Sequence, residues 1–72
     1  MLLGDINMNL GENLKTLRKE NKIEQVKLAK ELNVSAKTIS HWETGYTEPS
    51  VSQLIAIANF YNITLDELIL GK

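Results

Sequence analysis

Residues 25–45, QVKLAKELNVSAKTISHWETG, hold two helical patterns that are each too short to stand alone, and this constrains the chain more than any other feature. In the first, Val26, Leu28, Ala29 and Leu32 are taken to one side at helical spacing; in the second, Ile39 and Trp42 are. Asn33, Val34 and Ser35 separate them. Isolated helices below about 12 residues are marginal in water, so both stripes must share one core. Ala29 is small, as it must be where two such helices cross closely.

The flanking sequence supplies the rest of that core. Asn9 with Glu12 three residues on reads as a capping box opening a first helix to about Asn21, with Leu10, Leu14 and Leu17 inward. Lys22, Ile23 and Glu24 connect it to the second helix, which starts near Gln25. The third helix runs from Ser35 as N-cap to Gly45 as stop, and residues 46–49 form a loop. Ser50 and Gln53 make a second capping box for a helix to about Tyr61, with Val51, Leu54, Ile55, Ala58 and Tyr61 inward. After a link at Asn62 and Ile63, Thr64 and Glu67 cap a short fifth helix that ends at Gly71. The predicted fold is all-α, a compact five-helix orthogonal bundle over residues 9–72. Residues 1–8 show no periodicity and read as a flexible N-terminal extension, with Met8 as an alternative start, unless Leu2, Leu3 and Ile6 dock on a neighbour.

Seventy-two residues allow one small domain, stable by roughly 4–11 kcal/mol. There is no cysteine, so a disulfide framework and a thiolate metal site are excluded. The opening MLLGDINM has too short an apolar run and no basic start for a signal peptide, and no stretch approaches the length of a membrane span. A cytoplasmic chain without a membrane partner is the expectation. With a single histidine and no cysteine, no nucleophile, metal cluster or acid/base pair suggests itself, so neither an enzyme nor a cofactor is expected.

The net charge of −1 opposes an anionic partner, but its distribution does not. Residues 15–37 carry seven cations against three carboxylates, a balance of +4, and the remainder of the chain carries −5. The third helix is polarised as well. At about 100° per residue, Ala36, Lys37, Ser40, His41 and Thr44 share an arc of roughly 140°, opposite the buried flank. Such a face is either a solvated surface or a surface that reads a partner.

The full pattern favours the second reading. Gln25, Leu28, Ala29, Leu32, Val34, Ser35, Thr38, Ile39, Ser40, Trp42, Glu43, Gly45, Pro49 and Ser50 stand at spacings that resemble the helix-turn-helix of the Cro and phage-repressor class, often called XRE-like. The resemblance extends through Leu54, Ile57, Ala58 and Leu65 to Leu68, so it covers about Leu10 to Gly71. It implies a lambda-repressor-like domain whose third helix, about Ala36 to Thr44, lies in the major groove of a double-stranded DNA operator. By position, Ala36, Lys37, Ser40 and His41 would read bases. Lys37 can donate to guanine, Ser40 and His41 can donate or accept, and Ala36 can meet a thymine methyl. Gln25, Ser35, Thr38, Thr44 and Tyr46 would contact phosphates.

The resemblance also pairs Arg18 with Glu43. A carboxylate on the flank of a recognition helix repels DNA unless it is neutralised, and removing either partner of a buried pair costs roughly 3–5 kcal/mol. Trp42, on the core arc, is read as packing and not as a stacking residue. Two departures stand out: Glu24 occupies an N-cap where the family usually has Ser or Thr, and Asn33 a turn position that is often Gly. A glutamate there repels a docked phosphate, whereas Asn is the next best left-handed residue. One module touches few base pairs, so the expectation is a homodimeric transcriptional regulator of the repressor type, with Phe60 and Leu70 as leftover apolar residues in the dimer contact. The alternative is a protein-interaction or antitoxin-like module that keeps the fold and binds DNA weakly.

Overall fold

The computed structural model describes residues 9–71. Among these it contains five α-helices and no strand: α1 Leu10–Glu20, α2 Gln25–Leu32, α3 Ala36–Thr44, α4 Val51–Tyr61 and α5 Leu65–Leu70. The expectation for the N-terminal extension concerns residues 1–8, which lie outside the described range.

Four of the five helices begin at a residue in extended conformation, and three of those are capped by a hydroxyl. Ser35 Oγ accepts the Thr38 N–H at 3.1 Å, and Ser50 with Gln53 and Thr64 with Glu67 form complete capping boxes. The capping box expected at Asn9 and Glu12 does not form. With ψ at 35° the Asn9 side chain is not aimed at the orphan N–H groups of the first turn, and it makes no cap bond. Four helices stop on left-handed residues, Asn33 (φ 61°), Gly45 (φ 82°), Asn62 (φ 59°) and Gly71 (φ 76°), whereas α1 ends at Asn21 with φ −90°. Lys22, just past α1, has φ 56°, a conformation its side chain does not favour.

The core is one cluster of Leu14, Leu28, Ala29, Ile39, Trp42, Ile57, Ala58 and Leu68. Helix α3 lies at its centre: α1 and α2 both pack on it, α5 packs on α1 and α4, and α2 also meets α4. Three side chains expected inward are not. Val26 is exposed because it stands two residues from Leu28, which turns it about 160° from Leu28 and about 120° from Leu32, off the flank of α2 that faces the core. On α4 the buried line is Leu54, Ile57, Ala58 and Tyr61, with Ile57 at its heart. Val51 heads the helix beyond that surface at 71% exposure, and Ile55 sits about 100° round from Leu54 and is exposed.

Two contacts lock α1 onto the rest of the bundle. Asn13 Nδ2 donates to the Leu68 and Ile69 carbonyls at 3.3 and 3.1 Å, satisfying backbone acceptors near the end of α5. Gly11 lets α1 touch the end of α3: a Cβ at this position would lie 2.7 Å from the Trp42 carbonyl oxygen and 2.8 Å from that of Glu43.

Candidate nucleic-acid interface

Helices α2 and α3 are joined by three residues, and the turn is fixed by the Asn33 left-handed cap and the Val34 N–H, which donates to the Ala29 carbonyl at 2.9 Å. Burial of Ile39, Trp42 and Glu43 on one side of α3 directs the opposite side outward. Lys37 is exposed, and His41, one turn on, is half-buried beside it. Ser40 is half-buried too, and Ala36 rests partly against the core, so its methyl presents only a restricted surface. The lysines at 27 and 30 on α2 are exposed, as is Lys37 on α3.

The hydroxyl groups are partly committed within the chain. Ser35 Oγ and Thr38 Oγ1 are 3.0 Å apart at the start of α3, and Thr44 Oγ1 donates back to the His41 carbonyl at 3.3 Å. Both arrangements leave oxygen lone pairs or a rotatable hydrogen facing solvent. Tyr46 is 76% exposed, and its ring lies against the His41 imidazole with centroids 4.7 Å apart.

Under this face runs a charged network. Arg18 Nε donates to Glu43 Oε2 at 2.6 Å and Arg18 Nη2 to Glu43 Oε1 at 3.1 Å, a bidentate pair between α1 and α3 with both residues 9% exposed. Arg18 Nη1 also donates to the Ile23 carbonyl at 2.8 Å, which ties down the α1–α2 loop. The hydrogen bond to Glu43 holds the Arg18 guanidinium above its ordinary value, against the opposing effect of desolvation. Gln25, the first residue of α2, joins the network through Nε2, which donates to Glu43 Oε1 at 3.0 Å. Because a carboxylate only accepts, it must face the amide nitrogen, which leaves the second N–H and the amide oxygen of Gln25 available. Sequence reasoning missed this bond. No spacing rule reaches from residue 25 to residue 43, and only the crossing of α2 over α3 creates it.

Phe60 and Leu70, 36% and 40% exposed, lie on α4 and α5. The Phe60 ring is edge-on to Tyr61 at 5.0 Å. Among the described residues no group of three His, Cys, Asp or Glu side chains is placed to hold a metal ion, and no helix is long and apolar enough to cross a membrane.

A five-helix bundle whose second and third helices are joined by a tight turn, with a polar α3 face over a buried Arg–Glu pair, is a helix-turn-helix domain. The helix-turn-helix family model HTH_3 matches residues 14–68, and the chain belongs to this family, in its XRE-like, Cro and phage-repressor class. Among curated relatives, the HTH-type transcriptional activator BcrR of Enterococcus faecalis is 38% identical over 65 residues, covering 90% of this chain and 32% of that protein. The HTH-type transcriptional regulator ImmR of Bacillus subtilis is 35% identical, also over 90% of this chain and over 50% of its own length. The chain thus spans a third to a half of the length of these relatives. Among solved structures, the c2 repressor of Salmonella phage P22, in complex with a synthetic operator, superposes with a TM-score of 0.80 at 36% identity, covering 88% of this chain and 96% of that one.

Proposed function

We propose that the chain is a sequence-specific, double-stranded DNA-binding transcriptional regulator. It binds as a homodimer, with α3 in the major groove and without catalytic activity or a cofactor. The observation that carries this reading is the two-sidedness of α3: Ile39, Trp42 and Glu43 bury one flank while Lys37, Ser40 and His41 face outward beside the N-terminus of α2. In this reading Lys37, Ser40 and His41 contact base edges, with the Ala36 methyl at the margin. Gln25, Ser35, Thr38, Thr44 and Tyr46 meet the flanking phosphates. The P22 c2 repressor in its operator complex supports this docking. Repression is the mode proposed, although BcrR is an activator. A chain of this kind works in the cytoplasm, at the nucleoid.

One observation favours a second reading, a protein-interaction or antitoxin-like module. Glu24 caps α2 without a side-chain cap bond, which places an exposed carboxylate where a phosphate would approach the positive end of the helix. The deciding experiment is selection from a randomised duplex pool at low and moderate salt, with Lys37→Ala in parallel. Enrichment of a two-fold symmetric site that Lys37→Ala relaxes by about 1–3 kcal/mol at one base pair supports the regulator. Weak binding that vanishes with salt and enriches nothing supports the protein-binding module.

A further inference from the structure

Tyr46 stands outside the core, 76% exposed, and yet its place is dictated by the backbone. Gly45 adopts φ 82° and ends α3 in a Schellman turn, in which the Tyr46 N–H donates to the His41 carbonyl at 2.9 Å and the Gly45 N–H to that of Trp42 at 3.3 Å. The Thr47 N–H donates to the His41 carbonyl as well, at 3.3 Å. This turn sets the residue after the glycine over the residue five earlier, where a side-chain contact commonly completes the motif. Here that contact is aromatic: the Tyr46 and His41 rings are 4.7 Å apart and tilted by 55°. A tilted pair at this distance is an attractive arrangement of ring quadrupoles.

From this geometry we infer that Tyr46 is a positioning residue for sequence reading: its ring holds the His41 imidazole in one orientation above the groove, so that His41 discriminates bases with a side chain already ordered. The inference rests on the DNA-binding reading above. A histidine that reads a base edge must select one rotamer and one donor–acceptor orientation, and a side chain fixed beforehand loses less freedom on binding. Lys37, the neighbour one turn away on the same face, is exposed and has no aromatic ring against it. The role belongs to the ring. It differs from that of a phosphate contact, which belongs to the hydroxyl and carries no sequence information.

The test separates ring from hydroxyl. An operator is first recovered with the wild-type chain by selection from randomised duplexes. Tyr46→Ala, Tyr46→Phe, His41→Ala and the Tyr46→Ala/His41→Ala double variant are then titrated against it and its single base-pair variants by fluorescence anisotropy. Tyr46→Ala is expected to lower discrimination about three- to tenfold, at the same base pair that His41→Ala relaxes. Tyr46→Phe keeps that discrimination, whatever happens to overall affinity, and the double variant discriminates no worse than His41→Ala alone. If Tyr46→Phe and Tyr46→Ala both lose affinity evenly across all sequences, with the salt dependence unchanged because a neutral hydroxyl releases no counterion, Tyr46 acts through its hydroxyl and the inference is overturned. Additive losses in the double variant overturn it as well. A wild-type chain that enriches no sequence rejects the DNA-binding reading itself, before any variant is compared.

Discussion

Tyr61 has a buried hydroxyl with no hydrogen-bond partner among the described residues, although the Arg18–Glu43 pair is close enough to act on it electrostatically. Burial pushes its phenol from 10.0 up to about 12; Arg18 opposes this and Glu43 reinforces it. A buried donor without a partner loses the free energy of its hydration, so deleting it without changing shape is neutral or favourable. Tyr61→Phe is expected to leave the melting temperature unchanged or raise it slightly at neutral pH, as followed by circular dichroism. The pH dependence is the sharper check. Below pH 10 the phenol is protonated in both states and adds no slope. Between pH 10 and 12 the unfolded chain ionises while the folded one keeps its proton, so wild-type stability falls through that window. Tyr61→Phe should remove this component of the alkaline loss; an identical alkaline profile in both proteins would show that the hydroxyl is hydrated. None of this was legible in the sequence, where Tyr61 read simply as an inward residue. Arg18 and Glu43 were legible, but only as partners implied by a family pattern, since their spacing of 25 residues carries no local signal.

At the scale of elements, the helix boundaries were readable wherever local chemistry decides them. Ser35, Ser50 and Thr64 cap, and Asn33, Gly45 and Gly71 stop, because these contacts lie within a few residues of each other. Apart from the local cap at Asn9, which makes no side-chain bond, the errors arise where a distant partner chooses the face. Val51 and Ile55 are apolar at acceptable spacing, and only the placement of α4 against α2 and α5 selects Ile57 over them. Gly11 is the strongest such case. Inside a helix, glycine is less favourable than alanine by about 1 kcal/mol, so sequence reasoning would recommend Gly11→Ala as stabilising. The structure reverses that sign. The new methyl would lie 2.7 and 2.8 Å from two carbonyl oxygens of α3, and backbone cannot swing aside as a side chain can. Gly11→Ala is expected to destabilise by about 1–3 kcal/mol in urea unfolding, by pushing α1 off α3. A gain in stability would mean that the two helices pack less closely than described. The same displacement would disturb the Arg18–Glu43 pair between these helices, so a folded Gly11→Ala chain should also bind DNA less well.

For the whole molecule, the open question is how a bundle this small obtains useful affinity. A single recognition helix spans few base pairs, and a two-fold dimer that reads half-sites about 34 Å apart is the usual solution. The apolar surface fits such an arrangement. Apart from Val26 on α2 and Tyr46 after α3, the exposed large apolar side chains, Val51, Ile55, Phe60, Leu65 and Leu70, belong to α4 and α5, whereas the lysines at 27, 30 and 37 lie on α2 and α3. An apolar contact on one pair of elements and a cationic surface on another would let one chain serve both proposed partners. Phe60, its ring steadied edge-on by Tyr61, and Leu70 are the proposed centre of the self-contact. In light scattering at high micromolar concentration, the wild-type chain is expected to have the mass of a dimer, and Phe60→Glu or Leu70→Glu that of a monomer. Since neither change touches α3, both variants should keep wild-type affinity for an isolated half-site and lose only the extra affinity for the symmetric site. A monomeric wild-type mass would exclude a strong self-contact. If Val51→Glu and Ile55→Glu dissociate the dimer while Phe60→Glu does not, the contact lies on the other exposed side of α4, and the half-site spacing must be measured afresh from the selected sequences.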